Sequence, residues 1–494
     1  MKRALTRAAI ALLALVVILA AVILVRVATF GSVQRVVPPS TLDIAPEAVA
    51  ARLGEAIRFP TVSGAVGEGE APFVAMQGWL QASYPRFHAA ATREAIAGHN
   101  LLYTWPGADP SRPPVLLMAH QDVVPVEPGT AGDWTHPAFS GAVAPCGDVP
   151  GDCVWGRGAI DMKAALVGLF EACERLAAAG WRPQRTLMFA YGTDEEVGGF
   201  GNKAVAEELR RRGVRFEWVL DEGLLVTDGV IPGAPAPVAL IGLAEKGSIS
   251  LELIARSEGG HSSMPPRSTA AGRIARAVAR LEADPFPAAI DGAVAVMFDR
   301  IGPEMPFGQR IALANRWLFD PLLVARLQQS PTTDATLRTT QAATILEAGV
   351  QDNVLPQMAR AVVNFRVHPR DSLDSVTERV RAVIDDPAVE IRRLEGSDHR
   401  GPSPLARADA PGFALIEAAV RASWPEAIVG SGLFVAITDS RHYVALADDV
   451  YRFHPIRYTL ADRARIHGTD ERLRVGDLAA LVRFYHHLLE AAGR

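Results

Sequence analysis

The sequence predicts an α/β fold, with a mostly parallel sheet flanked by helices and a smaller α+β layer. Two observations carry this. In the first half of the chain, short apolar runs bounded by turn residues alternate with stretches of helical periodicity, the pattern of buried strands joined by crossover helices. After Asp221 the rhythm changes to strict alternation, as in strands with one face open to water.

The chain begins with Lys2, Arg3 and Arg7, followed by an uninterrupted apolar run from Ala8 to Val25, long enough for a helix of about 27 Å. Positive residues stay on the cytoplasmic side, so the remainder is expected outside the cytoplasm. A cleaved signal peptide is the competing reading. Its apolar core is normally shorter, and no clear Ala-x-Ala site follows here, so an uncleaved anchor over residues 1–30 is favoured. Residues 31–44, with Pro38 and Pro39, read as a linker, its Val33–Ser40 stretch a short stiff spacer.

Val115-Leu-Leu-Met-Ala-His120, the run from Arg185 to Asp194, and Trp218-Val-Leu-Asp221 read as buried parallel strands. Met162 to Ala179 is helical in period and ends at Gly180. Asn202 to Arg212 is a further helix, its terminal arginines complementing the helix dipole on a solvated face. Beyond Gly242, Lys246–Ala255 is strand-like, Thr269–Glu282 helical, and Ala342–Glu347 and Met358–Val367 strand-like again. Pro285 to Thr340 fits no simple pattern.

Composition narrows the partners. With 494 residues, 49% of them hydrophobic, the chain can bury two cores, and a formal net charge of −5 argues against a nucleic-acid partner. Abundant Ala, Arg and Pro suggest a bacterial source and therefore the periplasm. Of the three cysteines, Cys146 and Cys153 bracket a turn-rich loop. An oxidising compartment would let them pair, with zinc binding as the rival reading. Cys173 falls in the predicted helix as a core residue.

His120, Asp161, Glu196, Asp221 and His467, with Glu195 beside the third, read as one dinuclear metal site drawn from distant segments. Most of them end or follow an apolar run, and ligands of open α/β sheets gather at the carboxyl ends of strands. Imidazole nitrogen and carboxylate oxygen suit zinc, and a bridging carboxylate commonly joins two ions. Asp122, two residues from His120, is placed to accept the imidazole's other N–H. Of the adjacent Glu195 and Glu196, one serves as ligand and the other as general base. A lone His-x-Asp or Glu-Glu is mostly a solvated turn; the conjunction carries the argument. His136, His368, His442 and His454 lack such a context.

The strings Ala-His-Gln-Asp-Val-Val-Pro (119–125), Trp-Gly-Arg-Gly-Ala-Ile-Asp-Met-Lys (155–163), Gly-Thr-Asp-Glu-Glu-Val-Gly-Gly (192–199) and Ile-His-Gly-Thr-Asp-Glu (466–471) occur in that order. They resemble the zinc metallopeptidase family of aminoacylases, succinyl-diaminopimelate desuccinylases and bacterial glutamate carboxypeptidases. The likeness is greatest to the Gly-Xaa carboxypeptidase branch, which includes N-fatty-acyl-amino-acid hydrolases. The resemblance runs from about Ile44 to the end of the chain.

It implies two Zn2+ ions, with Co2+ or Mn2+ as substitutes: His120 and Asp221 on one, Glu196 and His467 on the other, Asp161 bridging. It further implies Asp122 as support for His120, Glu195 as base, and a cis peptide after Asp161. A catalytic domain would comprise 45–245 and 371–494, interrupted by an inserted α+β lid and dimerisation domain of ferredoxin-like type at 246–370. In the lid, His261 of Gly259-Gly-His-Ser-Ser-Met-Pro-Pro266 would stabilise an oxyanion, in dimeric members that of the neighbouring subunit. Asn353 and Arg366 would grip the substrate, Arg366 at a terminal carboxylate, and Thr438-Asp-Ser-Arg441 resembles a family loop near it. The expected substrate is a small peptide or N-acyl amino acid. An aminopeptidase or deacetylase on the same site and a noncatalytic periplasmic binding protein are the alternatives. The location implied is the inner membrane with the enzyme in the periplasm, or secretion.

Overall fold

The computed structural model describes residues 2–64 and 69–494. The main sheet has eight strands in the order Thr92–Ile96, Asn100–Trp105, Leu187–Gly192, Val115–His120, Phe216–Thr227, Ala447–Tyr458, Val238–Glu245 and Ile428–Phe434. The four strands from Leu187–Gly192 to Ala447–Tyr458 run parallel to one another. The first two strands pair antiparallel, and Val238–Glu245 meets Ala447–Tyr458 antiparallel. The sheet is therefore mixed rather than mostly parallel. Parallel pairing is concentrated at the centre, where crossover helices cover both faces.

Period-two alternation decides which side chains go to which face. Leu117 and Ala119 join one core with the helices Lys163–Ala178, Pro46–Ile57 and Val475–Ala492. Their neighbours Leu116 and Met118 face the opposite core, with Val205 and Leu209 of the helix Phe200–Arg211. The strand Val115–His120 is thus apolar on both sides, which is why its sequence is a run without alternation. The helix expected from Met162 spans Lys163–Ala178 and is followed by Gly180 at φ 72°, a conformation glycine adopts without a Cβ clash.

The second layer is a four-stranded antiparallel sheet in the order Thr340–Ala348, Met358–Val367, Gly247–Arg256, Val389–Arg393. The helices Ala270–Ala283 and Leu373–Ile384 pack on one face against Ile249, Leu251, Leu253, Val363 and Phe365. Thr269 caps the first of these, its hydroxyl accepting the Gly272 amide at 3.1 Å. Strand–helix–strand–strand–helix–strand is the expected ferredoxin-like topology. The boundary placed at residue 370 falls inside this layer: Leu373–Ile384 and Val389–Arg393 complete it, because Val389–Arg393 pairs with Gly247–Arg256 along the edge.

A second correction concerns residues 285–340. They fold largely as short helices, Gly292–Ile301, Phe307–Ala314, Arg316–Leu327 and Pro331–Asp334. Ala293, Val294, Phe298, Ile301 and Leu313 enter the main core rather than that of the second layer. The N-terminal helix Lys2–Thr29 is long and apolar enough to cross a membrane. The segment after it is no free spacer. Gln34 exchanges hydrogen bonds with the backbone of Val429, at 2.7 and 3.0 Å, and the Ser40 amide donates to Ala422 O at 2.8 Å. Cys146 and Cys153 form a disulfide beside Trp155, and Cys173 is buried.

Candidate metal centre

Two histidines converge on one carboxylate. His120 ends its strand, and its Nε2 lies 3.0 Å from Asp161 Oδ1. His467, held at φ 60° by its loop, places Nε2 3.1 Å from Asp161 Oδ2. Asp161 thus presents one oxygen to each imidazole, and the peptide after it is cis. On the far side of His467 stands Glu196 Oε2 at 3.2 Å, and beside His120 stands Glu222 Oε1 at 3.4 Å. Two ligand sets sharing Asp161 result: His120, Asp161 and Glu222, and Asp161, Glu196 and His467.

Glu222, rather than the Asp221 expected from the sequence, is the acid that stands beside His120. Asp221 turns the other way, its Oδ1 accepting the Glu222 amide at 2.8 Å and its Oδ2 the Ser440 amide at 2.7 Å. Successive side chains of a strand point to opposite faces, so only one of the two can reach His120. Adjacent acids diverge at Asp221 and Glu222, as expected of Glu195 and Glu196, and the sequence alone does not say which faces inward.

Asp122 does more than orient His120. The His120 Nδ1 lies 3.0 Å from the Asp122 carbonyl and 3.3 Å from its carboxylate. The carboxylate oxygens accept the amides of Glu195 and Glu196 at 3.2 and 3.1 Å. One buried group therefore sets both the first histidine and the turn carrying the paired glutamates. Burial alone would raise its pKa, but the bonds from His120 and the amides hold it below the ordinary value.

Glu471, in the 466–471 string but given no role by the sequence, is the second organiser. It accepts the amides of Gly158, Ile160 and Asp161 at 3.0, 2.7 and 3.1 Å and pairs with Arg157 at 2.8 Å. The loop 438–441 closes another side: Arg441 donates to Gly198 O at 2.6 Å, and Asn202 to Asp439 at 2.6 Å.

The electrostatics show strong crowding of acids. Burial and the Asp161 charge push Glu222 up to about 8, and burial with the Glu222 charge raises Glu195 well above the ordinary carboxylate value. Bonds to Asp161 and Glu196 push His467 up to about 10. Asp161 is depressed, the two imidazoles outweighing its burial. Glu196 Oε1 is buried with no hydrogen-bond partner among the described residues. Imidazole nitrogens, clustered carboxylates and an orphaned carboxylate oxygen fit divalent cations as ligands.

The remaining expected site residues are not bonded to this cluster. His261 is exposed on a two-stranded ribbon with Val354, its Nδ1 2.8 Å from Ser263 Oγ. The Asn353 carbonyl accepts the Ser262 amide at 3.0 Å on the same ribbon. Among the described residues, no hydrogen bond or ion pair joins either to the acidic cluster. Arg366, on the strand Met358–Val367, makes no hydrogen bond or ion pair there either, and burial lowers its pKa. His368 and His454 are buried, and His136 packs its ring on Trp155.

An α/β sheet with two histidines sharing one carboxylate defines a metal-dependent hydrolase. The chain belongs to peptidase family M20/M25/M40, whose model matches residues 116–491. It is 37% identical over 451 residues to a probable carboxypeptidase S-like 2 of Dictyostelium discoideum, covering 90% of this chain and 84% of the relative. It is 36% identical over 445 residues to the human N-fatty-acyl-amino acid synthase/hydrolase PM20D1, covering 88% and 86%. Carboxypeptidase S of Saccharomyces cerevisiae is 29% identical, covering 89% and 83%. Among solved structures, the metallo-carboxypeptidase Sso-CP2 of Sulfolobus solfataricus superposes with a TM-score of 0.62 at 16% identity, over 90% of this chain and 99% of that one.

Proposed function

We propose that the protein hydrolyses the amide bond of N-acyl amino acids, or of the C-terminal residue of short peptides, on a dinuclear zinc centre with Co2+ or Mn2+ as substitutes. The observation that carries the reading is Asp161, with one oxygen at His120 and the other at His467. His120, Asp161 and Glu222 would hold one cation and Asp161, Glu196 and His467 the other, and the pair would polarise the scissile carbonyl and lower the pKa of water.

Glu195 acts as general base and then acid, taking a proton from the attacking water and returning it to the leaving amine. Arg366, free of protein partners among the described residues, grips the substrate α-carboxylate with its planar fork. The second layer acts as a lid. A second copy, paired along the exposed edge strand Thr340–Ala348, brings His261 and Asn353 to the carbonyl oxygen and the substrate. The N-terminal helix anchors the chain in the inner membrane with the enzyme in the periplasm, and the Cys146–Cys153 disulfide supports an oxidising compartment.

The test is a matched panel of dipeptides, N-acetyl and N-long-chain-acyl amino acids and their carboxyl-amidated forms, with the zinc-loaded protein and Glu195→Ala. Cleavage of free acids alone, abolished in the variant, is the expected result. Equal cleavage of amidated forms would overturn the Arg366 role in favour of an aminopeptidase or deacetylase. No cleavage at all would support a binding protein.

A further inference from the structure

The helices Phe307–Ala314 and Arg316–Leu327 carry an apolar face that the fold leaves uncovered. Phe307 is 57% exposed, Trp317 56% and Leu322 65%, with Leu318 beside them. Large apolar side chains exposed together on neighbouring helices mark a contact surface. Its position relative to the N-terminal helix says what covers it.

That helix does not leave the body on a loose tether. Arg26 Nε donates to Ala314 O at 3.0 Å, and Asn315 Nδ2 donates to Ile23 O at 3.3 Å. Val27 is buried, and the Phe30 ring lies over Gly302. Gln34, a few residues on, is locked to Val429. The junction of the two short helices therefore sits level with Ile23–Arg26, one helical turn. Arg26 is the first charged residue after the apolar run Ala8–Val25, so this turn marks the passage from hydrocarbon to headgroups when the helix spans a bilayer.

We infer that residues 307–327 form a second, interfacial membrane contact, with Phe307, Trp317, Leu318 and Leu322 inserted at the headgroup–acyl boundary beside the span. The inference rests on the reading of the N-terminal helix as a membrane anchor. Its occupant is the bilayer, because the patch is continuous with that helix at its charged end. A tryptophan on a helix lying in the interface is the residue such a depth favours. The two contacts together hold the enzyme in one orientation. The anchor is fastened at Val429, near the amino end of the strand Ile428–Phe434, and the carboxyl end leads to the Thr438–Arg441 loop beside the acidic cluster.

The test uses the full chain in vesicles of phosphatidylethanolamine and phosphatidylglycerol, spin-labelled singly at Leu322→Cys, Leu13→Cys or Val350→Cys. Cys173 is buried and the other cysteines are paired, so the introduced thiol is the accessible one. Leu322→Cys and Leu13→Cys should both show several-fold more contact with oxygen, relative to a water-soluble nickel reagent, than Val350→Cys. Brominated lipids should quench the wild-type protein more than Trp317→Phe. A membrane-like Leu13 label with a Leu322 label matching Val350, and no difference on Trp317→Phe, would overturn the inference while leaving the anchor. An aqueous Leu13 label, or a mature chain beginning beyond Phe30, would remove the anchor and the inference together.

Discussion

Glu471 accepts the amide of Asp161 at 3.1 Å, so the segment bearing His467 also grips the loop bearing the carboxylate that both histidines share. The two halves of the ligand set, far apart in sequence, are held by one buried side chain. Glu471→Gln keeps the shape but replaces an acceptor-only group with one carrying two donors beside three amides. The expected result is a metal affinity lowered roughly 10–100-fold, as for groups that orient ligands. Because Arg157 loses its charge partner, unfolding free energy should also fall by about 3–5 kcal/mol. Metal titration and urea unfolding read these separately, and unchanged metal affinity would refute the role.

Glu222 and Asp221 make opposite predictions. Glu222→Ala should lower bound metal by one equivalent, because it faces His120. Asp221→Asn keeps the side chain's size and should retain both equivalents while loosening the Ser440 loop. Elemental analysis of the two variants decides between them; loss of metal in Asp221→Asn alone would restore the ligand expected from the sequence.

Glu195→Gln should keep bound metal and substrate affinity and lower kcat by roughly 10²–10⁴-fold, the usual contribution of a positioned proton-transfer group. Asp122→Ala removes the acceptor of the Glu195 and Glu196 amides. It should reduce both turnover and metal retention, and a loss confined to turnover would count against its part in positioning Glu196.

His368 and His454 each contribute a loss of stability in acid. Burial holds His368 and His454 at about 4, against an ordinary 6.5. The unfolded chain therefore takes up these protons first as pH falls. The stability each of the two contributes is fully present above 6.5 and declines from 6.5 toward 4, by at most about 1.4 kcal/mol per pH unit for each proton. Glu222 and Glu195, raised by burial, titrate in the opposite sense over the same range, so the measurement is the difference in urea midpoint between wild type and each histidine variant at pH 7.5 and 5 in the presence of a chelator. His454→Gln and His368→Gln should each flatten the slope.

The strands and the helix Lys163–Ala178 were legible because burial on both faces leaves unbroken apolar runs and a 3.6 period. His120, Asp161, Glu196 and His467 were legible for a different reason: their residue types, at strand ends and in four ordered strings, suit one chemistry. The small sheet was visible in the alternation of Lys246–Ala255, but its last helix and strand were not, since Leu373–Arg393 belongs there only through pairing with Gly247–Arg256. Residues 285–340 resisted reading because their short helices bury only a few side chains each, among them Ala293, Phe298 and Leu313, against strands distant in sequence.

What the sequence by itself determined was the class of fold, the apolar N-terminal helix, and the kind of chemistry, since period and residue type are local properties. Which of two adjacent acids turns inward, Glu222 or Asp221, and what holds Asp161 between two histidines, only the tertiary structure decided. Those outcomes depend on strand register, on the Ser440 and Glu471 contacts, and on side-chain direction, all settled when distant segments meet.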